Sequence, residues 1–138
     1  MKIKCIANSG KDLPVDCLRP VWGITENKEF AIVIGKTYVV YAFTFLLGYV
    51  WYYICDETYS FYPVWTPAPL FTISDHRLSR FWQFNHFIGN SADQTHMIVA
   101  FPEWANDRLY YDRLTSGVVE AVKVFEHYKT QIDNEVLR

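Results

Sequence analysis

Over its first hundred positions the chain alternates apolar and polar residues in short runs, and then the period changes. Residues 2 to 7, KIKCIA, set Lys2 and Lys4 against Ile3 and Cys5, the pattern of a half-exposed strand that ends at the turn residues Asn8-Ser9-Gly10. A polar loop with Pro14 and Pro20 follows. EFAIVI at 29 to 34 then reads as a second strand, which Gly35-Lys36 turns into the longest apolar run of the chain. That run, TYVVYAFTFLLGYVWYYIC at 37 to 55, holds nineteen residues without a charge. Its length approaches the ~20 residues that cross a bilayer as a helix. Its composition argues for strands instead. Fourteen of the nineteen are aromatic or β-branched, and five tyrosines (Tyr38, Tyr41, Tyr49, Tyr52, Tyr53) would carry hydroxyls through the hydrocarbon depth. The run is expected to form a β-hairpin, with strands from Lys36 to Leu46 and Tyr49 to Asp56 and a reversal at Leu47-Gly48. Leu-Gly is not a favoured hairpin dipeptide, which leaves the register open.

Beyond the hairpin, SFYPVWTPAP at 60 to 69 carries Pro63, Pro67 and Pro69, which withhold ladder donors and predict an extended, loop-like course. LFTIS (70 to 74), RFWQFNHFI (80 to 88) and QTHMIVAF (94 to 101) read as further strands, separated by turns at Asp75-His76-Arg77 and Gly89-Asn90-Ser91. At Phe101-Pro102-Glu103 the pattern becomes helical, and a short helix is expected over 102 to 114. Thr115-Ser116-Gly117 breaks it. A second helix runs from about Val118 to about Glu135, with Val118, Ala121, Val122, Phe125, Tyr128 and Ile132 on one stripe. The expected fold is α+β in a single domain over 1–138, mainly β to residue 101 and helical from 102. Its six or seven mostly antiparallel strands would curve strongly, or close into a half-barrel, ahead of two C-terminal helices.

Composition narrows the function classes. A net charge of −2, from 13 basic and 15 acidic residues, lacks the basic face that nucleic acid or an anionic membrane would require, so neither is expected as a partner. Aromatic residues make up 18% of the chain, which implies a ring-rich core and rings to spare. Cys5, Cys17 and Cys55 are odd in number and widely spaced, fitting neither a disulfide framework nor a metal knuckle. With no apolar core of a secretory signal in MKIKCIANSGKD, a cytoplasmic location is expected.

Catalytic signatures are missing. No GxGxxG, GxxxxGK[ST], HExxH or GxSxG occurs in the chain, so no cofactor and no catalytic group are expected. His76, His86 and His96 stand ten apart, a spacing unlike that of short metal motifs. His86 and His96 are expected to be partly buried and hydrogen-bonded, and His76 and His127 to face solvent; an acid–base role for His86 or His96 is the enzymatic alternative. Cys5 and Cys55 are expected on strand faces as small apolar residues, and Cys17 in a loop where Asp16 disfavours its thiolate.

What remains is surface. Asp56, Glu57, Asp75 and Asp93 stand at strand ends or loops beside Tyr59, Phe61, Tyr62, Trp65 and Trp82. Rings rimmed by acids suit a protein-binding face, because Tyr and Trp supply rigid contact area while carboxylates steer a basic partner. Asp56, Glu57, Tyr59, Tyr62, Trp65 and Asp75 are the expected contact edge.

The series GKTYVVYAFTFLLGYVWYYICDE, YPVWTPAPLF, LSRFW and FPEW resembles, in length, order and aromatic content, small bacterial immunity proteins of polymorphic or contact-dependent growth inhibition toxin systems. The likeness spans residues 1 to about 130 in general layout. It implies a non-enzymatic inhibitor that binds and occludes a cognate protein toxin acting in the cytosol, such as a nuclease. It implies no residue assignment. The alternative is a ligand- or peptide-binding half-barrel whose aromatic pocket holds its guest.

Overall fold

The computed structural model describes residues 1–91 and 95–137. Asp93 and Gln94, the latter the expected start of the last strand, lie outside them. Eight strands form among the described residues: β1 (Lys2–Cys5), β2 (Thr37–Val39), β3 (Ala42–Leu46), β4 (Tyr49–Ile54), β5 (Val64–Pro67), β6 (Phe71–Asp75), β7 (Gln83–Phe87) and β8 (His96–Ala100). All pairings are antiparallel. They make two sheets, ordered β2-β1-β6 and β5-β4-β3-β8-β7, which do not close into a barrel.

The central hairpin is β3 and β4, in register with Leu46 opposite Tyr49. Leu47 and Gly48 take φ of 58° and 81°, the positive values a two-residue reversal demands. Gly48 adopts this freely, whereas Leu47 does so at a cost of about 1–2 kcal/mol, offset by its packing against the core. The expected first strand of the hairpin divides in two. Val40 and Tyr41 change sheets, the N–H of Val40 donating to Met1 and that of Tyr41 to Tyr53.

Three expectations need correction. EFAIVI is not a strand: its backbone partners are scattered, with Phe30 N–H donating to Asn8, Val33 N–H to the Tyr38 hydroxyl, and Ala31 C=O accepting from Glu57. No neighbouring strand offers it a ladder, and strand propensity without a partner leaves irregular backbone. Conversely, the proline-rich stretch contains β5, which borders the five-stranded sheet and pairs only with β4, so its prolines remove no needed donor. The expected helix over 102–114 is two helices, α1 (Pro102–Ala105) and α2 (Tyr110–Thr115). Between them Asn106 Nδ2 donates to the Pro102 carbonyl and Asp107 accepts the Leu109 N–H, local bonds that compete with helix continuation.

Helix α3 (Val119–Val136) follows the periodicity, with Ala121, Phe125 and Ile132 buried and Val122 and Tyr128 half-buried. No helix among the described residues is long and apolar enough to cross a membrane.

Two hydrophobic clusters result. The first joins the three-stranded sheet (Ile3, Tyr38, Phe71) to β4 through Trp51, Tyr52 and Ile54, and takes in Leu13, Cys17, Ile24 and Ile32 from the irregular segment. The second packs Ala42, Ile98 and Ala100 under Phe101, Trp104, Tyr110, Leu114 and Phe125 of the helical region. Tyr41 hydrogen-bonds Asp133 at 2.6 Å, and Lys129 reaches the other oxygen of that carboxylate at 2.8 Å, pinning α3 to the sheet.

Candidate functional site

The turn after β4 is set by one carboxylate: Asp56 Oδ1 accepts the backbone N–H of Thr58 and of Tyr59, both at 2.8 Å. Such an Asx turn throws the chain outward. From there Tyr59 and Tyr62 stack, with ring centroids 5.1 Å apart. Beyond them β5 presents Trp65, whose ring lies 4.7 Å from buried Trp51 and 5.5 Å from Trp22.

A second wall is the irregular segment 22–32. It is tied down by the Gly10 N–H to the Lys28 carbonyl at 2.7 Å, by the Asn8 side-chain amide to Ile32, and by a crossed bridge between Arg19 and Ile24 that closes the turn carrying Trp22. Gly10 is required here, since a Cβ at that position would lie 1.9 Å from the Thr25 carbonyl oxygen. The third wall is α2, where the Tyr111 hydroxyl donates to the Pro63 carbonyl at 2.6 Å.

The three walls enclose an open cleft of about 570 Å³. Six aromatic residues line it (Trp22, Phe30, Tyr59, Tyr62, Trp65 and Tyr111), together with Lys28, Glu29 and Asp56. A smaller hollow of about 220 Å³ adjoins, lined by Phe61, Leu114, Gly117 and Val122; it shares Tyr62 and Thr115 with the cleft. Phe61, at its rim, is 63% exposed.

Electrostatically the cleft holds two carboxylates and one ammonium. Burial raises the pKa of the Tyr62 and Tyr111 hydroxyls, so both stay protonated and act as donors at neutral pH. The Lys28 ammonium sits 5.7 Å from the Phe30 ring centroid. The arrangement provides ring faces, hydroxyls and a slight excess of negative charge, the chemistry of non-covalent recognition.

Of the six residues expected at the contact edge, the fold brings Asp56, Tyr59, Tyr62 and Trp65 to this cleft. Glu57 lies next to it with both oxygens 2.7 Å from Lys36 Nζ, while its N–H joins the loop to Ala31. Asp75 does not join them. It lines a different hollow of about 120 Å³ with Met1, Ser79 and Glu135 and pairs with Arg77 at 2.6 Å, which holds its carboxyl well below the usual carboxylate range. Trp82 is also elsewhere, packed on Phe43 with its indole N–H on the Tyr41 carbonyl.

Sequence reasoning missed Trp22, Phe30, Glu29 and Tyr111. A signal existed for Trp22: a tryptophan beside Gly23 in an otherwise polar loop has no strand or helix to bury it. The other three depend on which segments meet.

The histidines are dispersed. His76 and His127 are exposed as expected, but His86, expected to be partly buried, is exposed on the edge strand β7. The register sets His86 opposite Met97 and His96 opposite Phe87, so the two rings leave opposite faces of the sheet. Burial and Arg108 lower the pKa of His96, which favours its neutral form. Among the described residues no cluster of three His, Cys, Asp or Glu is placed to hold a metal. Burial pushes the Cys55 thiol up to about 11, and raises Cys5 and Cys17 as well. All three cysteines are free. Set beside known proteins, the chain matches no protein-family model, no curated protein and no solved structure.

Proposed function

We propose that this chain is a non-enzymatic binding protein that occludes a protein partner by docking it on the aromatic cleft, and that the partner is a cognate toxin. One observation carries the docking reading: Asp56, Tyr59, Tyr62 and Trp65, expected from sequence to touch a partner, share one cleft with Trp22, which remains 45% exposed, and with Glu29. Exposed, rigid aromatic rings around a concavity make anchors for a protein interface, where Trp and Tyr contribute disproportionately. The toxin as partner class rests on the resemblance in length, order and aromatic content.

Co-expression with the product of the neighbouring gene tests the proposal. That product should arrest growth alone, and this chain should bind it and restore growth. Trp22→Ala combined with Tyr59→Ala, both at exposed positions, should abolish rescue while leaving the melting temperature close to that of the parent. A neighbour that is neither toxic nor bound, or rescue indifferent to the double substitution, sinks the idea.

A second reading is favoured by volume. The cleft falls in the range of roughly 300–1,000 Å³ typical of small-molecule sites, so a ligand- or peptide-binding module with an aromatic pocket also fits. Ligand-dependent thermal stabilisation without any protein partner would select it.

A further inference from the structure

Resting on the docking reading, we infer that the cleft seats an extended segment carrying a lysine or arginine, whose cation lies among the rings, with an aliphatic side chain a few positions away in the adjoining hollow. Three features of the site converge on this occupant. The first is charge. Glu29 and Asp56 line the cleft against a single ammonium, Lys28, and neither carboxylate is in an ion pair among the described residues. A cation entering the cleft meets an unneutralised acid.

The second feature is the rings. Aromatic faces carry negative potential and attract a cation within about 6 Å of the centroid. The chain already does this to itself here, with Lys28 at 5.7 Å from Phe30. The third is continuity. Tyr62 and Thr115 belong to both the cleft and the smaller hollow, where Phe61, Leu114 and Val122 contribute carbon and no charged side chain intrudes. An extended chain crossing Tyr62 therefore passes from an acidic, aromatic half to a neutral, apolar half. In such a chain alternate side chains point to the same face, about 7 Å apart, so one segment can fill both halves.

The test titrates the isotope-labelled full chain with synthetic glycine-serine peptides carrying one arginine and one leucine. Control peptides replace arginine by its neutral isostere citrulline, or leucine by glycine. The arginine–leucine peptide should shift amide signals from Thr58 to Tyr62 together with Gly117 and Val122. Replacing arginine by citrulline, or combining Asp56→Asn with Glu29→Gln in the protein, should weaken binding about tenfold. Asparagine retains Oδ1 for the Asx turn, so an unchanged melting temperature separates lost charge from lost fold. Replacing leucine by glycine should remove the shifts at Gly117 and Val122 alone.

Equal binding of the citrulline peptide, or binding indifferent to the two substitutions, overturns the inference. So does perturbation of the cleft by neutral or acidic peptides only. If that happens while Trp22→Ala with Tyr59→Ala still abolishes partner binding, the basic occupant falls and the docking reading stands. If that double substitution leaves partner binding intact, the docking reading falls by itself.

Discussion

The two hydrophobic clusters differ in how they are covered. The helix-side cluster is closed by regular elements: α1, α2 and α3 lay Trp104, Tyr110, Leu114 and Phe125 on the five-stranded sheet, and Phe101 stacks on Tyr128 with centroids 4.3 Å apart. The other is closed in large part by the segment 8–36, irregular backbone interrupted by three single-turn 3-10 helices, which brings Leu13, Cys17, Ile24 and Ile32 inward one at a time. A helix carries its apolar stripe as a continuous surface and seals what it covers. A chain held by isolated hydrogen bonds leaves gaps where it meets its neighbours, and the aromatic cleft is such a gap, between the irregular segment, the loop running into β5, and α2. In this molecule the candidate site lies where regular structure gives out.

Deleting a buried ring in each cluster gives the largest effect. Trp51→Ala and Phe125→Ala should each cost about 3–5 kcal/mol in urea unfolding, because each removes a fully buried aromatic side chain. Only Trp51→Ala should also alter the cleft, since Trp65 rests on Trp51 and Trp22 on Trp65. Equal disturbance of the cleft by Phe125→Ala, read from the amide signals of Thr58 to Tyr62, would break the distinction between the clusters.

Gly10→Ala comes next. Its Cβ would collide with the Thr25 backbone, so the 22–32 wall must move, at about 1–3 kcal/mol. Amide exchange at position 10 and at Phe30 should accelerate, with that of α3 unchanged. Uniform acceleration would show that the irregular wall and the helices open together.

Tyr41→Phe probes the helix side more gently, removing one hydrogen bond to Asp133 while Lys129 still satisfies that carboxylate. A loss of about 1 kcal/mol in urea unfolding is expected. A much larger loss would mean that Lys129 does not hold α3 without the tyrosine.

The smallest effect is electrostatic and lies beside the three-stranded sheet. Arg77 lowers the folded-state pKa of Asp75, so its contribution is fully present above the unfolded value of about 4 and is lost as pH falls below that value. Melting temperatures of Asp75→Asn and the parent should differ slightly at neutral pH and converge in acid. A gap that widens in acid would contradict the pairing.

How far the fold could be read from sequence follows the same division. The alternation of KIKC, the aromatic and β-branched hairpin and the stripe Ala121, Phe125, Ile132 express local preferences; the first and last became the expected elements, and the hairpin did so over Ala42–Leu46 and Tyr49–Ile54, while Thr37–Val39 joined the other sheet. EFAIVI misled because its composition fits a strand but no strand lies alongside; VWTP misled in the other direction, because β4 offered an edge that tolerates proline. The candidate site was legible only where its residues are close in sequence, from Asp56 to Trp65.

The sequence by itself determined the elements whose side-chain period matches their own backbone geometry, and it announced a surplus of rings near acids. Only the tertiary structure decided that Trp22, Phe30, Trp65 and Tyr111 surround one cleft and that Asp75 stands apart with Arg77. Periodicity reports what a residue shares with neighbours two to four positions away. The cleft depends on contacts such as Gly10 with Lys28, Glu57 with Ala31 and Tyr111 with Pro63, which join segments that no local pattern relates.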